Sequence, residues 1–70
     1  MTSSVEIILN GEVQPVPREC TVLELLLARK LTPESVVVEL NLDIVPADDF
    51  AHRILKAGDR MEILYFVGGG

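Results

Sequence analysis

Seventy residues with a formal charge of −5 and an apolar fraction of 49% describe one small domain, and a chain this short buries only about 60% of the surface its unfolded form exposes. The acidic balance argues against a nucleic-acid partner, because that binding comes from clustered Lys and Arg, and suits a basic protein partner instead. Cys20 has no second cysteine to pair with, which points to a reducing compartment.

Val5 to Leu9 is apolar or β-branched apart from Glu6, and Asn10-Gly11 follows at once. Both turn residues tolerate positive φ, the requirement of a type I′ hairpin, so Glu12 to Val16 is the return strand. Pro15 and Pro17 cannot donate ladder hydrogen bonds, which assigns that strand to a sheet edge. Thr21-Val22-Leu23-Glu24 opens a helix with a capping box, in which Thr21 and Glu24 exchange side-chain and backbone bonds. Val22, Leu25, Leu26 and the stem of Arg29 share one helical face. Arg29 and Lys30 sit where the helix dipole favours cations, and Thr32-Pro33 is the expected stop. Val36 to Asn41 reads as a third strand. Ile44-Val45 reads as a short extended piece, and Pro46 to Asp49 as a turn or single helical turn. Ala57-Gly58-Asp59 launches a last strand through Met61 to Val67. No signal peptide or apolar run of roughly 18 residues is present to span a bilayer, so the expected place of work is the cytoplasm, with no membrane partner.

This order of elements gives an α+β fold of the β-grasp (ubiquitin-like) kind. Four to five strands form a mixed sheet, one main helix packs on one face, and the first and last strands lie parallel at the centre. The expected division is a single domain over 1–67 and a flexible glycine tail over 68–70. Strand alternation then assigns faces. Glu6, Glu39 and Glu62 must meet water, which sends Ile8, Val37, Leu64 and Phe66 outward with them, and sends Met61, Ile63 and Tyr65 inward. Ile8, Val37, Leu64, Phe66 and Val67 are therefore expected to form one apolar docking patch for another protein beside the tail.

The tail, Gly68-Gly69-Gly70, reads as a side-chain-free arm with a reach of roughly 10 Å. Its carboxylate is ionised and a poor electrophile until a partner enzyme activates it. A frayed terminus is the alternative reading. Cys20 reads either as a redox handle or as a small buried hydrophobe, and His52 lacks a second metal ligand nearby. Glu39, Asp43, Asp48 and Asp49 read as a patch for a basic partner or as solvated surface. Lys30 and Lys56 carry no local feature marking them as acyl acceptors. No base, nucleophile or metal constellation is present, and no glycine loop opens a helix to cradle ATP.

Taken together, the capped Thr21-Val22-Leu23-Glu24-Leu25-Leu26 start, Val38-Glu39-Leu40-Asn41, Ile44-Val45-Pro46, Gly58-Asp59-Arg60-Met61-Glu62-Ile63 and Phe66-Val67-Gly68-Gly69-Gly70 resemble the ThiS family of thiamine-biosynthesis sulfur carriers. The resemblance spans nearly the whole chain. It implies a carrier, not an enzyme, whose Gly70 carboxylate is adenylated by a ThiF-like adenylyltransferase using ATP, with no cofactor bound by this chain. A sulfur donor system would then make a thiocarboxylate for a ThiG-like thiazole synthase, with Gly68 and Gly69 threading into the partners' sites. The small subunit of molybdopterin synthase (MoaD-like) and a ubiquitin-like modifier share the fold and the terminal glycines. Leu42-Asp43 departs from the glycine-containing turn many relatives have after this asparagine, and Tyr65 replaces a commonly polar residue.

Overall fold

In the computed structural model, which describes residues 3–65, the chain opens with β1 (Ser4–Leu9) and β2 (Glu12–Pro17), joined by Asn10 and Gly11 at φ 48° and 86°. Two successive positive φ values make the expected type I′ turn, and they set the register from Leu9 opposite Glu12 to Ser4 opposite Pro17. The closing pair of such a hairpin exchanges hydrogen bonds, so the backbone groups of Val13, Pro15 and Pro17 face away from β1. Two of those three positions have no N–H to offer. The free edge of β2 is thereby blunted against pairing with a foreign strand.

Helix α1 (Val22–Ala28) starts at the expected capping box. The Glu24 amide donates to Thr21 Oγ1 (3.1 Å), and the Thr21 amide donates to Glu24 Oε1 (2.9 Å). Val22, Leu25 and Leu26 are buried against the sheet. The helix stops earlier than Thr32-Pro33. Lys30 takes φ 61°, its amide donates to Leu27 O (2.9 Å), and the Leu31 amide donates to Leu26 O (2.9 Å). That pair of bonds is a Schellman closure, here with lysine where glycine is usual. Leu31 then packs against the core as the apolar contact that accompanies this motif. Arg29 is the exposed C-cap and does not extend the buried face.

After a 3₁₀ turn at Pro33–Ser35 come β3 (Val36–Leu40), β4 (Asp43–Val45), a second 3₁₀ turn at Ala47–Asp49 and β5 (Arg60–Tyr65). The five strands lie in the order β2-β1-β5-β3-β4. β1 and β5 are parallel, and every other pair is antiparallel. This is the mixed β-grasp sheet expected, with the proline-bearing strand at its edge. Ile7, Leu9, Val38, Leu40, Met61 and Ile63 point from its inner face into the same cluster as α1, which Phe50 and Leu55 complete. β4 extends the sheet in its plane, so it leaves the outer face uncovered.

Candidate functional site

β5 is the element from which residues 66–70 continue, so what fixes β5 fixes the origin of the tail. Its start is held by a turn over Lys56 to Asp59, closed by the Asp59 amide donating to Lys56 O (3.0 Å). Gly58 has φ 85°, as a type II turn requires at that position. Asp59 Oδ2 accepts from the Lys56 amide (2.8 Å), and Asp59 Oδ1 accepts from Asn41 Nδ2 (3.1 Å). Met61 and Ile63 are buried to within a few per cent, and a one-residue slip would swap them with Arg60 and Glu62, so the register of β5 is strongly specified. Of the expected site residues, Phe66, Val67, Gly68, Gly69 and Gly70 lie outside the described residues.

The outer face divides the expected patch. Leu64 pairs directly with Val37 between β5 and β3, and Glu62 pairs with Glu39 one step further from the tail. Leu64 is 54% exposed and Val37 is partly buried beside it. Ile44, also exposed, stands across from Glu39 and extends this apolar surface onto β4. Ile8 does not join it. In the parallel register Ile8 is level with Arg60, four residues before Leu64, which at a strand rise of about 3.3 Å per residue puts it roughly 13 Å back along the strand. Ile8 instead faces Val13 on β2 and, with Glu6, Ala57 and Gly58, lines a separate shallow cavity. Alternation identifies the face of a residue but not its height along a neighbouring strand, and this is why a single patch was expected.

Tyr65 follows the inward side of β5 but is 51% exposed instead of buried. The C-cap of α1, Arg29, is the part of the helix at this end of the sheet. Tyr65 lines a small polar cavity with Asn10, Glu12, Gln14 and Arg29. Cys20 is buried, and its Sγ lies 3.4 Å from Thr21 O. Burial, with the charge of Glu24 adding to it, pushes its thiol up from the ordinary cysteine range. That is the buried-hydrophobe reading, since reactive thiols have depressed values. Asp43, Asp48, Asp49, His52, Lys30 and Lys56 are exposed, while Glu39 is partly buried. Among the described residues no group of three or more His, Cys, Asp or Glu could hold a metal ion, and no helix is long and apolar enough to cross a membrane.

A model of the ThiS family matches residues 7–70. The chain belongs to the ThiS family. Its ThiS fold is similar to the crystal structure of the thiamine biosynthesis protein (ThiS) from Geobacter metallireducens, with 38% identity, a TM-score of 0.80, and coverage of 94% of this chain and 100% of that one. The solution structure of a thiamine biosynthesis protein from the same organism gives 38% identity and a TM-score of 0.79, over 94% and 88% of the two chains. Among curated proteins, the chain is 37% identical over 65 residues to a thiazole synthase of Paramagnetospirillum magneticum, covering 93% of this chain. It is 34% identical over 62 residues to a thiazole synthase of Magnetococcus marinus, covering 89%. The chain spans about a fifth of the length of those relatives, 20% and 19% respectively.

Proposed function

We propose that this ThiS-family chain is a cytoplasmic sulfur carrier of thiamine biosynthesis and that its chemistry takes place on the carboxyl carbon of Gly70. The Gly70 carboxylate attacks the α-phosphorus of an ATP held by a ThiF-like activating enzyme; the bond to the β-phosphate breaks and pyrophosphate leaves. The resulting acyl-adenylate is an electrophile. A sulfide equivalent from a donor system adds to its carbonyl carbon, AMP departs, and a thiocarboxylate remains. That sulfur is then surrendered to a thiazole synthase. The chain supplies no acid, base or metal to these steps. It supplies a rigid scaffold, a tail without side chains that fits a narrow channel, and an apolar docking surface at Val37 and Leu64.

The observation that carries this reading is the family match running through Gly70. Structural neighbours from thiamine biosynthesis favour that pathway over molybdopterin synthesis, and the similarity to thiazole synthases supports a ThiG-like protein as the recipient. Deleting Gly70 tests the proposal. The shortened protein is expected to keep its fold by circular dichroism and to lose ATP–pyrophosphate exchange with the activating enzyme. Retained exchange would contradict it.

A further inference from the structure

Both type I′ turns in the fold carry asparagine at their first positive-φ position, Asn10 at 48° and Asn41 at 54°, and both asparagines reach β5. The Asn41 amide donates to Arg60 O (2.7 Å), and Asn41 Oδ1 accepts from the Arg60 amide (3.0 Å). The Asn10 amide donates to Met61 O (2.8 Å), and Asn10 Oδ1 accepts from the Ile63 amide (2.8 Å), with Nδ2 adding a longer contact to Ile63 O (3.4 Å). In a continuing parallel ladder, the main-chain carbonyl of residue 10 would accept from Ile63. The left-handed turn rotates that carbonyl away, and the side-chain amide oxygen takes its place. Asn41 makes the same substitution on the antiparallel side.

The two clamps differ in where they hold β5. Asn41 holds its first residue. Asn10 holds Ile63, beyond the last backbone pairing with β1, which runs only from Ile8 opposite Arg60 to Leu9 opposite Met61. On the β1 side the far half of β5 is held by one side chain, while on its other side β3 pairs with it as far as Tyr65.

We infer that Asn10 is a positioning residue for the carrier's engagement with the activating enzyme: through Ile63 it ties the far half of β5, which β3 holds from the other side, to the β1 turn, and so steadies the strand from which residues 66–70 continue. This rests on the carrier reading for what the tail does, while the clamp itself stands on the hydrogen bonds alone. Asn41 provides the internal control, being the same chemistry at the opposite end of the strand.

The experiment compares Asn10→Gly and Asn41→Gly, since glycine keeps the positive φ of each turn and removes only the carboxamide. In the isolated protein, amide exchange at Ile63 is expected to accelerate about tenfold in Asn10→Gly after correction for global stability, and to stay unchanged in Asn41→Gly, where Arg60 responds instead. With ATP and the activating enzyme, Asn10→Gly is expected to raise the carrier's KM about tenfold at a nearly unchanged kcat, and Asn41→Gly to leave both near wild type. Asn10→Asp, which keeps the oxygen that accepts from Ile63, is expected to retain most of the wild-type KM, and it serves should Asn10→Gly not fold. Unaltered Ile63 exchange, or equal KM effects from the two glycine variants, would overturn the inference. Wild-type protein that gives no pyrophosphate exchange would instead refute the carrier reading, and the amide-exchange arm would still decide the role of Asn10.

Discussion

The second hairpin of the sheet holds a residue in a conformation it does not favour. Leu42 sits at φ 75° in the two-residue turn between β3 and β4, and it is 89% exposed. A left-handed non-glycine residue costs about 1–2 kcal/mol, and glycine's extra freedom in the unfolded chain takes back about 0.4–1 kcal/mol of any relief. The side chain is so exposed that its loss removes almost no buried surface. Leu42→Gly is therefore expected to stabilise the domain by about 0.5–1 kcal/mol, or about 2–8 °C in Tm for a chain this small. Gly11→Ala is the mirror test. A Cβ on Gly11 meets nothing within 4 Å, so only the backbone strain at φ 86° acts, and a loss of about 1 kcal/mol is expected. Urea melts with an unchanged m-value measure both. If Leu42→Gly destabilises, or if both variants move in the same direction, the strain argument is wrong.

Thr21→Ala removes the Oγ1 that accepts from the Glu24 amide, keeps the backbone amide that donates to Glu24 Oε1, and should cost about 1 kcal/mol in a urea melt. Leu64→Asp should weaken capture of the activating enzyme at least about tenfold while leaving the fold intact, and Ile8→Ser, at the other end of the sheet, should leave it nearly unchanged; equal losses in a binding titration would restore the single patch. The Cys20 thiol is raised by burial and by Glu24, so the unfolded chain loses this proton at lower pH than the folded one. The associated stability is complete below the unfolded thiol's pKa and is lost as pH rises from there toward the folded value. Iodoacetamide should accordingly label native protein far more slowly than unfolded protein at mildly alkaline pH, and Cys20→Ala should lack this alkaline loss of stability.

Features dictated by neighbouring residues could be read from the chain. Asn10-Gly11 announced its turn, Pro15 and Pro17 announced an edge, and Thr21 with Glu24 announced the helix start, because each involves partners within three residues. The helix end was misjudged because its stop signal, Lys30 in a left-handed conformation, lacks the glycine that usually advertises it. The Asn41-Leu42 turn was hidden for the same reason. Tyr65 and Ile8 failed differently. Alternation gave both their faces, but what packs over the end of β5 and the parallel register of β1 against β5 are long-range quantities that no local pattern encodes. The clamps of Asn10 on Ile63 and of Asn41 on Arg60 span 53 and 19 residues of chain, and only folded geometry shows them. Of the candidate site, the strand leading to the tail was legible, but the division of its outer face was not.

The proposed carrier role is tested most directly by the intact mass of the wild-type chain after incubation with ATP, the activating enzyme and a sulfur source. A gain equal to the difference between sulfur and oxygen, localised by fragmentation to Gly70, is the predicted result. An unchanged mass, or an adduct on a lysine of another protein, would contradict it.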